Sequence, residues 1–148
     1  MDPMIVVGAV TCLGLSATGS ALGTGYAASA AVGAWKKCYA QNKPAPFLLL
    51  SFVGAPITQT LYGMILMFVM LGKTSVQGAG LAMILLGIIA GFAIGISALF
   101  QGRAAAAACD SQAETGQGFT NYLAAIGIIE TVAIFTMVFT LIALGSIQ

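Results

Sequence analysis

Residues 126–135 read IGIIETVAIF, and the carboxylate in their middle, Glu130, is the only charge in the run from Thr115 to Gln148. A run that long and that apolar is a transmembrane candidate, because a helix rising about 1.5 Å per residue needs about 20 apolar residues to cross the hydrocarbon. Cutting the rest of the chain at its charges leaves three more such stretches, residues 3 to 35, 44 to 72 and 74 to 102. None shows the alternation of a barrel strand, and in lipid each backbone N–H and C=O must pair within the protein, so each predicts a helix. The expected fold is an all-α membrane protein of four transmembrane helices arranged as two duplicated antiparallel hairpins. The first covers residues 1–73, and the second, which carries Glu130, covers residues 74–148.

Composition agrees with the spans. Of 148 residues 59% are hydrophobic and only 6% charged, against about a quarter in soluble domains, so the surface has to face lipid. A net charge of +1, no histidine and no basic run longer than Lys36-Lys37 exclude nucleic acid as a partner. Cys12, Cys38 and Cys109 lack metal-ligand spacing, which excludes a zinc finger and a disulfide framework. The opening Met-Asp-Pro-Met has no positive n-region, and the apolar run behind it outlasts an h-region, so the segment reads as a mature span.

Charge also sets an expected orientation. The turn KKCYAQNKPAP at residues 36–46 holds three lysines, and Arg103 precedes the turn DSQAETGQG at residues 110–118. The turn GKTSVQG at residues 72–78 holds only Lys73. By the positive-inside rule the two richer turns face the cytoplasm of a multi-pass cell-membrane protein, with both termini on the other side.

The chain repeats itself. Residues 20–30, SALGTGYAASA, align with residues 97–107, SALFQGRAAAA, and more weakly Gln59-Thr60 aligns with Glu130-Thr131. The carboxylate exists in one copy. Glycine concentrates in helices 1 and 3, as in Gly19 to Gly23 and Gly87-Gly91-Gly95, while phenylalanine concentrates in helices 2 and 4. Small residues let backbones approach closely, so helices 1 and 3 should form a tight inner layer and helices 2 and 4 an outer one. A ring of identical subunits uses such a split; a lone four-helix bundle has less need of it.

An ionisable residue a dozen positions inside a span is a functional candidate by default. Residues equally far from a turn lie at similar depth in an antiparallel hairpin. Gln101 and Glu130 stand equally far from the middle of the turn between Asp110 and Asn121, and Thr24 and Gln59 equally far from Gln41-Asn42. Around Gln59 the segment GAPITQTLYG supplies Thr58, Tyr62 and Pro56. Pro56 offers no amide hydrogen, which loosens the turn and frees a carbonyl such as that of Ala55. The set is rich in oxygen: the Glu130 carboxylate, the Gln59 and Gln101 amide oxygens, the Thr58 hydroxyl and the Ala55 carbonyl. Hard cations prefer oxygen ligands, and one carboxylate balances a monovalent ion. Tyr62 could donate its hydroxyl proton to Glu130. Thr24, Thr60, Thr131 and Ser97 receive no function, since membrane hydroxyls ordinarily bond back to their own helix.

These residues resemble the proteolipid ring subunit of rotary ATPases in its duplicated form, the K-type proteolipid of the V-type family. The resemblance rests on PITQTLYG, FQGRAAAA and IIETVAIF and on a glycine-rich first helix in each hairpin. It is closest to the bacterial sodium-pumping members and implies ion ligands at Thr58, Gln59, Gln101, Glu130 and the Ala55 carbonyl, with Tyr62 bonding the glutamate. The eukaryotic vacuolar proteolipid is similar in architecture but places its aromatic near the glutamate in helix 4. The resemblance further implies a non-catalytic, ion-translocating subunit whose cargo is sodium, with the proton as the alternative. Its partners would be identical subunits in a ring, a stator subunit (a or I) supplying an arginine, central stalk subunits at the lysine turn, and lipid. The absence of a GxxxxGK[ST] loop agrees with nucleotide chemistry residing elsewhere. Two rival classes are a small four-helix drug exporter, which would not need duplicated glycine helices, and a structural tetraspan, which would not need Glu130.

Overall fold

The computed structural model describes residues 2–147, and they are helical apart from short turns. Four helices are long and apolar enough to cross a membrane: α1 (Pro3–Ala40), α2 (Phe47–Leu71), α3 (Gly80–Thr115) and α4 (Phe119–Gly145). Helix α1 starts where it does because the Asp2 carboxylate accepts the Met4 N–H at 2.9 Å and Pro3, lacking an N–H, suits the first helical turn. It stops at Ala40, where Asn42 takes a positive φ of 53° and two prolines follow at Pro44 and Pro46. Trp35 then donates its indole N–H to the Pro46 carbonyl at 2.9 Å and fixes the turn. Helix α3 ends on Gly116 at φ 69°, a left-handed position that suits glycine, and Gly118 at φ 87° starts α4.

Two boundaries differ from the charge-based expectation. Helix α1 runs through Lys36 and Lys37, and α3 runs through Arg103, Asp110 and Glu114. Charge marks where lipid contact ends; helical hydrogen bonding continues beyond it. The ends of the two helices are joined by an exposed ion pair, Lys37 to Asp110 at 3.5 Å. The α3–α4 turn consequently shrinks to Gly116–Gly118. Counted from that turn, Gln101 stands farther away than Glu130, and their long side chains span the difference.

The inner layer forms as expected. A Cβ on Gly19 would collide with the backbone of Gly95, and one on Gly102 with the backbone of Gly23. At these crossings α1 and α3 touch backbone to backbone, the approach that small residues permit in lipid. Helix α2 lies over α1 and meets α3 and α4, and α4 packs on α3 and α2. Phe52 joins α2 to the start of α4, its ring 5.2 Å from Phe119 and 6.2 Å from Tyr122. Helix α4 buries only Ile126, Ala133 and Leu144 and leaves Ile128, Val132, Phe135, Phe139 and Ile142 exposed. That surface suits lipid.

Candidate ion-binding site

The site begins with the break in α2. Pro56 cannot donate a backbone hydrogen bond, and the helix tightens into a 3-10 turn over Ala55–Ile57 before resuming at Thr58. In that turn the Thr58 hydroxyl lies 3.1 Å from the Ala55 carbonyl and 3.2 Å from Gln59 Oε1. Three oxygens from one helical turn thus converge at one place.

Gln59 is fully buried and crosses to the other hairpin, its Nε2 donating to Gln101 Oε1 at 2.7 Å. Gln101, equally buried on α3, donates from its own Nε2 to the Ile126 carbonyl at 3.2 Å and to Glu130 Oε2 at 3.3 Å. Tyr62, one turn beyond Thr58 on α2, donates its hydroxyl to Glu130 Oε1 at 2.6 Å. Both carboxylate oxygens of Glu130 therefore have a donor. The Ala55 carbonyl, Thr58, Gln59, Gln101, Glu130 and Tyr62 form one continuous network across α2, α3 and α4, with Pro56 buried beneath it.

Glu130 is half-buried and has no cationic partner: among the described residues the one ion pair is Lys37–Asp110. The groups joined to this carboxylate in the network, Tyr62, Gln101, Gln59, Thr58 and the Ala55 carbonyl, are hydroxyls, amides and a backbone carbonyl, with no second carboxylate among them. The pattern is a single negative charge in a frame of neutral donors and acceptors, and it would be neutralised by one proton or one monovalent cation.

Thr24, given no function in the reading of the sequence, stays outside the network, its hydroxyl buried without a hydrogen-bond partner while Gln59 faces α3. One hydroxyl departs from that reading. Ser97, given no function, donates to the Ile129 carbonyl at 2.9 Å, immediately before Glu130. A signal for Ser97 existed, since it lies one helical turn from Gln101 and so on the same face of α3. Thr131 bonds back to Ile128 at 2.7 Å, as membrane threonines ordinarily do.

No curated protein matches the chain. The family of the ATP synthase C subunit matches residues 84–143, which take in most of α3, the turn and nearly all of α4, with Gln101 and Glu130 inside the match. Proteins of this family form oligomeric rings of helical hairpins. The hairpin that carries the lone intramembrane carboxylate is thus similar in sequence to the ATP synthase C subunit.

Proposed function

We propose that this chain is a membrane rotor subunit of a rotary ATPase of the V type and that it carries sodium ions at Glu130. The observation that bears most weight is the hydrogen-bonded network that connects the carboxylate, through the two glutamine amides, to the Thr58 hydroxyl and the Ala55 carbonyl. The family match over residues 84–143 supports the rotor reading and weighs against a drug exporter or a structural tetraspan.

The chemistry follows from the cost of charge in lipid. A bare carboxylate at the centre of a span costs about 3 kcal/mol on insertion scales, so an empty site resists facing the hydrocarbon. A bound cation cancels that charge, and the protomer can then pass along the lipid face. An emptied Glu130 needs a cation elsewhere, an arginine on a stator subunit, and so ion exchange becomes tied to rotation. Each charge moved across 100 mV is worth about 2.3 kcal/mol, so several protomers must turn for each ATP.

For sodium to bind, the terminal amide of Gln101 has to rotate, because its Nε2 and not its Oε1 faces Glu130. Rotation gives up the bonds to Gln59 and to the Ile126 carbonyl and brings the Gln101 amide oxygen toward the carboxylate. The side-chain amide is symmetric enough in shape for this to be a local change.

The same orientation favours a second reading. Gln101 and Tyr62 both present hydrogens to Glu130, a frame that also suits a site loaded with a proton alone.

Labelling by a carbodiimide that attacks protonated carboxyl groups separates the two. With detergent-solubilised protein at fixed pH, sodium is expected to slow the modification of Glu130 strongly while potassium does not. Labelling indifferent to sodium removes the sodium reading and leaves the proton.

A further inference from the structure

Ser20 and Ser97 open the two repeated segments, SALGTGYAASA and SALFQGRAAAA. They are almost equally buried, at 4% and 5% exposed. Yet Ser97 donates to the Ile129 carbonyl at 2.9 Å, whereas the Ser20 hydroxyl has no partner. The residue, its burial and its place in the repeat are the same in both hairpins. What differs is the outer helix: α4 carries a carboxylate, and α2 carries Gln59 in the corresponding place, turned toward α3.

We infer that Ser97 is a positioning residue for Glu130, its hydroxyl fixing the backbone of α4 at the residue before the carboxylate. Helix α4 needs such a hold because it buries just three side chains, Ile126, Ala133 and Leu144. One turn along α3, Gln101 takes the Ile126 carbonyl at 3.2 Å, so two side chains of α3 grip a single turn of α4. A carbonyl oxygen has two lone pairs, and Ile129 can accept from Ser97 without giving up a helical bond. The grip sets the rotation of α4 about its own axis, and that rotation decides whether the carboxylate meets Tyr62 and Gln101 or turns away from both. Gln101 has to let go of its partners when its amide rotates; Ser97 does not. It therefore keeps the α4 backbone in place while the ion enters or leaves, so exchange involves side chains alone. The inference rests on reading Glu130 as the ion carboxylate.

The test is the sodium concentration that half-protects Glu130 from carbodiimide in the detergent-solubilised protein, with thermal unfolding measured on the same samples. Ser97→Ala is expected to raise that concentration about 3- to 10-fold, the effect of one hydrogen bond. Ser97→Thr, which keeps the hydroxyl, should stay near the unsubstituted protein, and Ser20→Ala should leave half-protection unchanged. A lowered melting temperature in Ser97→Ala with unaltered half-protection would mean a purely structural serine and overturn the inference. Failure of sodium to protect even the unsubstituted protein would count against the sodium site itself. The pH midpoint of labelling then serves in its place: a midpoint moved by Ser97→Ala and not by Ser20→Ala supports the positioning role, and an unmoved one overturns it.

Discussion

Gln59 on α2 and Gln101 on α3 share a 2.7 Å hydrogen bond that joins the two hairpins side chain to side chain, with both residues fully buried. Each glutamine also keeps one polar end beside a candidate ligand: Gln59 Oε1 beside Thr58, and Gln101 Nε2 beside Glu130. The bond therefore links the oxygen-rich turn of α2 to the carboxylate of α4.

Replacing Gln101 by leucine strips donors from Glu130 and Ile126 and the acceptor from Gln59 at once. Polar contacts between membrane helices are worth about 1–2 kcal/mol at most in model systems. We expect a loss of stability of about that size in a detergent melt, together with loss of sodium protection of Glu130. Retained protection would place the ion elsewhere.

The Tyr62 hydroxyl reaches Glu130 at 2.6 Å, and a hydrogen bond to a charged group is worth about twice a neutral one. Tyr62→Phe removes that donor and leaves the ring packing intact. The carboxylate should then need about tenfold more sodium for half-protection, by the usual magnitude of a charged hydrogen bond. The helix content seen by circular dichroism should not change.

Glu130→Gln is close to isosteric and removes the charge. Helix content and assembly should survive, while ATP hydrolysis in the complete complex should lose its dependence on ion movement. Coupling preserved in this variant would show that the carboxylate is not the carrier.

The α1–α3 crossing gives a contrast between glycines. A Cβ on Gly102 meets the backbone of Gly23, which cannot swing aside, whereas one on Gly25 meets nothing within 4 Å in the protomer. Gly102→Ala should force the two helices apart and sharply reduce the yield of folded protein. Gly25→Ala should leave the folded protomer unchanged in circular dichroism and thermal melts; a collapse comparable to that of Gly102→Ala would contradict the packing.

Much of this was legible in the chain itself. The four spans follow from hydropathy and the cost of unpaired backbone in lipid, and both are local properties. The glycines of α1 and α3 announced a close crossing because only small residues permit one. Glu130 stood out because it is the lone charge in its run, and the residues around Pro56 stood out because proline disrupts a helix in a known way. The helix ends of α1 and α3 were less legible, since Lys36, Lys37, Asp110 and Glu114 mark the edge of lipid contact and a helix can continue beyond it in water.

The sequence by itself determined that this is a four-helix membrane protein with a duplicated hairpin and one intramembrane carboxylate, because such features depend on composition and short-range order. Only the tertiary structure decided that Gln59 bonds to Gln101, that Gln101 offers Glu130 an N–H, and that Ser97 finds a carbonyl while Ser20 finds none. These outcomes depend on how α2, α3 and α4 are rotated and raised against one another. Helix rotation and register come from packing between distant segments, where a shift of one residue turns a side chain by about 100° around the helix axis.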